Sequence, residues 1–335
     1  MLNSTLRRFA SFVFVWSVCV VGSCLCGTAI AQDAKQDERL KMQGEYVGNV
    51  LLDGNDLRIG INLIAGSDDQ FTMKVYFDGL PGDGAEAAQE TDNSITEKMV
   101  DGVLEFQHKG QRGVVENGVF KFYEADKLVG ELKRVERESE TLGMAPPEGA
   151  IVLFDGTSGE QFESRKGKEF FVDGLLQQGI ISKQKFGGDF TLHIEFKLPF
   201  EPNKSGQGRG NSGVYLQGRY EVQMLDSFGL AGEHNECGGI YSIKKPDINM
   251  CYPPETWQTY DIEFKSAKWD GDNKTENARM TVRHNGHLIH DDVELPKITT
   301  AAPLKESAEP GYLYLQDHGS PVRYRNIWVK QNDDK

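Results

Sequence analysis

Short runs of alternating apolar and polar residues recur along most of the chain, and this pattern constrains its fold more than any other feature. Between Gly44 and about Arg134 the runs are separated by Gly or Asp turns, which is typical of a small antiparallel β-meander or barrel. The region 150–330 repeats the pattern on a larger scale, and no long stretch has helical periodicity. Strands at this density without interleaved helices predict an all-β protein whose larger part is a two-sheet antiparallel sandwich.

A charged, proline-containing stretch separates the two β-rich regions. It ends in the sequence APPEG at residues 145–149 and is suited to a domain junction. We therefore predict a small β domain over 40–135, a linker over 136–149 and the sandwich over 150–330. The chain has 335 residues, so each domain is long enough to bury a core of its own.

The first 31 residues have the features of a secretory signal peptide. Arg7 and Arg8 precede a long apolar run that closes with the small residues Ala29 and Ala31. This predicts export to the periplasm or the extracellular space, with Cys24 as an alternative attachment point for a lipid anchor. No later run approaches the roughly 18 apolar residues of a membrane-spanning helix, so we expect no transmembrane span in the mature chain.

The charge balance argues against a nucleic-acid partner. Lys and Arg number 37 against 51 Asp and Glu, a formal net charge of −14, whereas binding phosphates requires the opposite sign. An anionic membrane surface is disfavoured for the same reason. Of the five cysteines, only Cys237 and Cys251 lie beyond the signal segment. In an oxidising compartment they form either a single disulfide or two buried free thiols, and the sequence leaves both open.

Side chains two residues apart on a strand share a face of the sheet. In the run 220–225 this rule places Glu221 and Gln223 together, opposite Tyr220 and its apolar neighbours. The preceding strand presents Tyr215 and Gln217 in the same way. We therefore predict a polar outer face of Tyr, Gln and Glu side chains, the surface chemistry that suits sugar recognition.

The same rule applied to 322–329 places Arg323 and Arg325 on one face and Tyr324, Asn326 and Trp328 on the other. This would add arginine side chains to the polar face, provided that the strands are neighbours.

Motifs for common chemistries are missing from the sequence: there is no phosphate-binding loop, no Gly-x-Ser-x-Gly, no His-Glu-x-x-His and no Cys pair at zinc spacing. His284, His287 and His290 follow one another at intervals of three around the turn signal Asn285-Gly286. On strands they alternate faces, so we interpret them as solvated hairpin histidines rather than as metal ligands.

Six segments of the larger region form an ordered set of motifs. They are 151–156 (IVLFDG), 188–196 (GDFTLHIEF), 211–215 (NSGVY), 220–223 (YEVQ), 257–260 (WQTY) and 316–319 (QDHG) with 325–327 (RNI). In this order they resemble the bacterial 3-keto-disaccharide hydrolase domain. The region before residue 146 resembles a companion β domain found with it. The resemblance implies a concanavalin A-like sandwich that is a hydrolase of 3-keto-disaccharides or related 3-keto-glycosides, and the signal segment predicts that this enzyme is exported.

A C3 ketone acidifies the hydrogen on C2, so the glycosidic bond can be cleaved by removal of that proton, elimination and hydration, or else by direct hydrolysis. The elimination route needs a base near C2 of the sugar, donors to the enolate oxygen and an acid at the leaving group. We assign the base or acid to Glu221, because desolvation on the polar face would raise its pKa, and the complementary proton transfer to His318. Arg325 or Lys183 would stabilise the enolate. The residues expected to bind sugar hydroxyls are Asn211, Tyr215, Gln217, Gln223 and Asp317.

A divalent metal ion is an alternative to the cationic side chains as Lewis acid. The sequence contains no closed set of ligands for it, although Glu221, Asp317 and His318 would contribute. A non-catalytic, lectin-like carbohydrate-binding protein of the cell envelope uses the same fold and is the alternative function. A structural envelope protein is the third. Glu221, His318 and Arg325 together distinguish the enzyme, because binding alone rarely needs an acid, a base and a cation.

Overall fold

The computed structural model describes residues 37–85, 94–108 and 110–332, and these residues are almost entirely strand and loop. From Asp37 onward the chain clusters as one compact unit. The predicted signal peptide over 1–31, with Cys24, lies outside the described residues. Within the described ranges no helix has both the length and the apolar character needed to cross a membrane.

The described part of the first region contains one short helix and ten strands. They are α1 (Glu38–Met42), β1 (Gly44–Leu52), β2 (Asn55–Ala65), β3 (Gln70–Phe77), β4 (Leu80–Pro81), β5 (Gly84–Ala85), β6 (Ser94–Lys98), β7 (Leu104–His108), β8 (Gln111–Glu116), β9 (Val119–Glu124) and β10 (Lys127–Val135). Eight of the strands form an antiparallel sheet in the order β6-β3-β2-β1-β10-β9-β8-β7. Its end strands approach each other, so the sheet curls into a nearly closed barrel, as predicted.

Two-residue turns connect neighbouring barrel strands. Between β1 and β2, Asp53 and Gly54 have φ angles of 50° and 80°; between β8 and β9, Asn117 and Gly118 have 51° and 74°. A turn with positive φ at both central residues matches the right-handed twist of the strands, and Asn or Asp followed by Gly adopts it at little cost. These dipeptides therefore help to set the register of the barrel.

The second region contains fifteen described strands. They are β11 (Ile151–Phe154), β12 (Phe162–Ser164), β13 (Phe171–Val172), β14 (Leu175–Gln177), β15 (Ile180–Phe186), β16 (Phe190–Lys197), β17 (Ser212–Leu216), β18 (Tyr220–Met224), β19 (Trp257–Lys265), β20 (Lys268–Asp270), β21 (Asn273–Glu276), β22 (Ala278–His284), β23 (His287–Leu295), β24 (Gly311–Leu315) and β25 (Arg323–Gln331). A short 3-10 helix spans Gly206–Gly208.

Thirteen of these strands form two antiparallel sheets. The larger sheet has the order β13-β14-β25-β16-β19-β22-β23, with β11 beside β25, and the smaller has the order β12-β15-β24-β17-β18. Apolar side chains from both sheets meet between them in one core, in which Leu192, Ile194, Val214 and Val222 are fully buried. The predicted two-sheet antiparallel sandwich is confirmed.

The segment between barrel and sandwich is held at several points. Arg137 pairs with Glu45 of the barrel, with Nε 2.7 Å from Oε2. Further along, the Thr141 hydroxyl donates to Asp261 (2.6 Å) and the Gly143 N–H donates to Glu195 (2.6 Å), both on the larger sheet. That residues 136–149 are a linker between two domains stays a prediction. In the structure, residues of this segment form hydrogen bonds both with the barrel and with the larger sheet of the sandwich.

We expect the Arg137→Met variant to lose about 3–5 kcal/mol of unfolding free energy, because it leaves the Glu45 carboxylate, whose side chain is 2% exposed, without its cation. The measurement is equilibrium urea unfolding at pH 7. Arg134→Met is the matched control, since Arg134 pairs with Glu136, which is 80% exposed, and should change by less than about 1 kcal/mol. Equal small losses in both variants would contradict a structural role for the buried pair.

Candidate functional site

The outer face of the smaller sheet is built by the β17–β18 hairpin. Tyr220, Val222 and Met224 point into the sandwich core, so the period of two sends Glu221 and Gln223 to the outer face. Glu221 lies directly opposite Tyr215 on β17. The predicted arrangement of this hairpin is therefore what the structure contains, and all ten residues of the two strands are buried.

Glu221 is a buried carboxyl group without a cation. It is 2% exposed, and among the described residues no Lys, Arg or His nitrogen lies within 4 Å of its oxygens. Gly213 makes room for it, because a Cβ at that position would lie 2.1 Å from Oε1. Burial raises the pKa of Glu221 to about 8, against a hydrogen bond from Tyr215 that lowers it. The group is thus mostly protonated at neutral pH.

Amide and phenol groups surround this carboxyl. Asn211 donates to the Gln207 carbonyl oxygen (2.7 Å), and Gln316 donates to the Tyr215 hydroxyl (3.1 Å). That hydroxyl has one proton, which it donates either to Glu221 or to the Thr300 carbonyl oxygen (3.2 Å). These groups form a cluster of hydrogen-bonding side chains without fixed charge beside Glu221.

The Gln223 side chain completes this cluster. Its nitrogen faces Gln207 Oε1 (3.1 Å) and Asn211 Oδ1 (3.4 Å). When the amide is turned over, the nitrogen donates instead to the Ser212 carbonyl oxygen (2.7 Å) and to Glu221 Oε1 (3.3 Å). In either orientation one amide atom of Gln223 lies 3.3 Å from Glu221 Oε1: the nitrogen of the turned amide donates to the carboxyl, and the oxygen of the unturned amide accepts from the protonated carboxyl. Gln223 is therefore a direct neighbour of the buried carboxyl.

Aromatic and charged side chains border the cluster. Tyr314 packs against Tyr215 with ring centroids 5.4 Å apart, and the Arg165 guanidinium lies over the Tyr314 ring at 4.8 Å. Asp317 accepts from Lys166 (2.9 Å), and this hydrogen bond lowers the pKa of Asp317. Aromatic faces beside neutral donors suit the apolar faces and hydroxyls of a sugar.

His318 and Arg325 do not join Glu221 as predicted. His318 follows Gln316 in the loop that borders the cluster, but it is exposed and forms no hydrogen bond with a described residue. Arg325 lies on the outer face of the larger sheet, where it donates to Glu195 (2.6 Å) and covers the Trp257 ring at 4.1 Å. The sandwich core separates Arg325 from Glu221, so the expected meeting of acid, base and cation is wrong for Arg325.

A β-bulge explains part of this difference. Asn326 has a φ of 43°, and the register of β25 against β16 slips there by one residue. Asn326 and Trp328 therefore point to the same side as Arg325, and both donate to the Met144 carbonyl oxygen (3.0 and 3.3 Å). The prediction that Asn326 and Trp328 oppose Arg325 is wrong, because the alternation rule assumes an unbroken ladder.

Lys183 and Gln217 also lie apart from the cluster. Lys183 is exposed on β15, three strands from β18 in the smaller sheet, which is about 14 Å at normal strand spacing. Gln217 lies in the turn just after β17 with a φ of 51°, and its amide donates to Ser266 (2.8 Å) and the Phe186 carbonyl oxygen (3.2 Å). Its predicted place on the polar face is wrong, because the strand has already turned.

The hairpin histidines and the cysteines have structural surroundings. His284 and His290 are fully buried rather than solvated, which corrects our interpretation; burial lowers the pKa of His284 to about 3 and that of His290 to about 4. Cys237 and Cys251 are buried free thiols. In the described part of the chain no three His, Cys, Asp or Glu side chains form a cluster suited to a metal ion, and Glu221, Asp317 and His318 are no exception.

The sequence analysis missed two members of the cluster. Gln316 belongs to the quoted QDHG motif, so its position after a strand with outward Tyr312 and Tyr314 was an available signal. Gln207 has no such signal, because it lies in a Gly-rich loop and reaches the cluster through the 3-10 helix spanning Gly206–Gly208. Only the folded loop brings it beside Asn211 and Gln223.

The fold and the site together define a class of protein. It is a two-sheet β-sandwich whose smaller sheet carries the buried Glu221 carboxyl among amide and phenol side chains. Residues 149–330 match the family model of the 3-keto-alpha-glucoside-1,2-lyase-like domain. The match covers more than half of the chain, and the chain belongs to this family. The resemblance inferred from the ordered motifs is thereby confirmed.

Three solved structures from Parabacteroides distasonis ATCC 8503 are similar to part of this chain. One candidate glycosyl hydrolase is 32% identical, with a TM-score of 0.51, and the alignment covers 55% of this chain and 84% of that chain. Two others are each 20% identical, with TM-scores of 0.42 and 0.38, and cover 59% and 55% of this chain and 99% of their own. The search of curated proteins found no match.

The raised pKa of Glu221 predicts a pH-dependent effect of the Glu221→Gln substitution. The unfolded carboxyl releases its proton above its ordinary pKa of 4.5, whereas the folded one retains it up to about 8. Stability of the wild type therefore falls between these pH values by up to about 4 kcal/mol, and glutamine does not incur this loss. Urea unfolding at pH 4.5 and pH 8.5 should show the variant gaining relative to the wild type at the higher pH.

The control for this measurement is Glu163→Gln on β12, where the carboxylate is exposed. Its stability difference from the wild type should be the same at both pH values. If Glu221→Gln behaves like Glu163→Gln, the Glu221 carboxyl has an ordinary pKa and is not desolvated.

Proposed function

We propose that the protein cleaves glycosides, disaccharides among them, whose C3 hydroxyl has been oxidised to a ketone. Membership in the 3-keto-alpha-glucoside-1,2-lyase-like family supports this substrate class, and the likeness to a candidate glycosyl hydrolase supports glycoside cleavage in general. The single observation that carries the assignment of the site is the buried Glu221 carboxyl, whose pKa lies near 8 among neutral donors.

The chemistry follows from the ketone. A carbonyl at C3 acidifies the hydrogen on C2, so a base removes that proton and an enolate forms. The enolate then expels the C1 substituent: the C1–O bond breaks, a C1–C2 double bond forms, and the leaving oxygen takes up a proton. Addition of water across the double bond yields the free 3-keto sugar. Direct hydrolysis at C1 gives the same products and is the alternative route.

Glu221 suits proton transfer in this sequence, because a group whose pKa is near the working pH both takes and returns a proton readily. The neutral donors of Asn211, Gln223 and Gln316 would bind the enolate oxygen and the sugar hydroxyls. His318, in the bordering loop, stays our prediction for the second proton transfer. Since Glu221 is 2% exposed, the substrate must displace the groups that cover it.

A lectin-like protein that binds carbohydrate without turnover is the second candidate. It is favoured by the position of Arg325 on the other sheet, because the combination of acid, base and cation was the sequence feature that distinguished the enzyme. The neutral amides and aromatic rings around Glu221 would serve binding equally well.

We expect the Glu221→Gln variant to lose at least about 100-fold in the rate of sugar release from 3-keto-lactose or 3-keto-trehalose, since glutamine cannot exchange a proton. Release is measured by chromatography under single-turnover conditions across pH 5–9. Glu163→Gln makes the same chemical change at the opposite edge of the same sheet and should keep the wild-type rate. Full activity of Glu221→Gln would remove Glu221 from the mechanism, and wild-type binding without turnover at any pH would support the lectin.

We also propose that the protein is exported, as the charged and apolar segment before residue 32 predicts. N-terminal sequencing of the protein recovered from a periplasmic or culture-medium fraction should begin at Gln32. A mature chain that begins with acylated Cys24 would instead support the lipid-anchored alternative, and recovery of the protein only from the cytoplasmic fraction would contradict export.

A further inference from the structure

The barrel contains a cavity of about 690 Å³ that lies apart from Glu221. The residues that line it belong to seven barrel strands: β1, β2, β3, β6, β7, β8 and β9. The apolar members are Val50, Leu52, Ile59, Met73, Val75, Phe77, Ile95, Phe106 and Phe122. The cavity is open on one side, and a concave, mostly apolar surface of this size is typical of a pocket for a small ligand.

The cavity occupies one half of the barrel, and side chains fill the other half. Tyr46, Ile61, Phe71 and Phe120 are all fully buried in the filled half, near α1. The hollow half lies toward the end where the β1–β2, β7–β8 and β9–β10 hairpins turn. Eight-stranded barrels are just wide enough either to be filled by side chains or to hold one small ligand. In this barrel side chains fill one half, and the other half has room for a ligand.

The residues toward that end set the polarity of the opening. His108 and Gln111 face each other across the β7–β8 hairpin, line the cavity and are exposed. Both have hydrogen-bonding side chains. No Lys, Arg, Asp or Glu is among the described residues that line the cavity. In the described ranges, the lining residues at the opening therefore provide polar contacts without a fixed charge, and Arg112 and Asp126 lie in the adjoining surface pocket that shares His108 and Gln111.

Gly113 keeps the interior wide beside this opening. It lies on the same wall as Gln111, and a Cβ at this position would lie 2.5 Å from the Phe120 ring. A larger residue there would push Phe120 and the stacked Phe122, whose ring centroids are 4.9 Å apart, toward the hollow half.

We propose that the barrel binds one molecule of a single-chain amphiphile, with its aliphatic chain in the cavity and a small uncharged head, such as a hydroxyl or ester, between His108 and Gln111. The apolar wall excludes a charged chain, since a charge buried without a partner is costly, and the described residues that line the opening include no cation or anion to pair with a phosphate or an ammonium head. This site is independent of the proposed glycoside chemistry.

The test is titration of the full-length mature protein with the fluorescent probe N-phenyl-1-naphthylamine, followed by displacement with 1-dodecanol. We expect one probe per chain and full displacement by 1-dodecanol. Dodecyl phosphate and dodecylammonium should each displace it at least about 10-fold more weakly. If the charged and the neutral amphiphiles displaced the probe equally well, the assignment of the head group would be overturned. If neither the probe nor 1-dodecanol bound up to its solubility limit, the site itself would be overturned.

Val50→Phe combined with Val75→Phe fills the cavity and should weaken binding at least about 10-fold. Leu51→Phe is the matched control: Leu51 neighbours Val50 on β1 but is 44% exposed, so binding should stay within about twofold of the wild type. Unchanged binding in the filled variant would overturn the proposal. If that variant does not fold, the wild-type protein is tested by NMR instead. We expect magnetisation transfer between the Met73 methyl group and dodecanol, and its absence at a saturating dodecanol concentration would refute the site.

Discussion

The rest of the candidate site depends on one constraint, the burial of the Glu221 carboxyl without an opposite charge. Taking a carboxylate out of water is costly, so the group keeps its proton and its pKa rises to about 8. The neighbours are consistent with a neutral group: Gly213 gives it space, and Tyr215 and Gln223 offer neutral hydrogen bonds. A cation at this position would restore the charge and remove the property that suits proton transfer.

Glu195 shows what a partner changes. It is also a buried strand glutamate, 1% exposed, but on the larger sheet. Burial alone would raise its pKa, yet hydrogen bonds from His193, Asn326 and Arg325 lower it to about 2. Glu195 is therefore an ionised group that binds the Gly143 N–H of the connecting segment, whereas Glu221 is a neutral group with a proton to transfer. Two glutamates that both have almost no exposed surface thus differ in charge at neutral pH.

The barrel and the candidate site are linked through one buried arginine. Arg209 donates to Asp226 (2.6 Å) at the end of the β17–β18 hairpin and to the Ala65 carbonyl oxygen (2.9 Å) of β2. The loop that carries Gln207 and Asn211 lies directly beside it in the chain. The barrel therefore supports the loop that supplies two of the amides around Glu221, even though the apolar cavity lies elsewhere.

The sequence by itself determined the local features of this protein. Alternation placed Glu221, Gln223 and Tyr215 on one outer face, because the period of a strand is fixed by its backbone, and Asp-Gly and Asn-Gly specified tight turns. Alternation failed at Asn326 and Gln217, where a bulge and a positive φ break the period. Whether a carboxyl meets a cation was decided only by the tertiary structure, because its neighbours come from strands and loops far apart in the chain. The same long-range packing put Arg325 on the opposite sheet, brought Gln207 to Glu221 and left half of the barrel hollow.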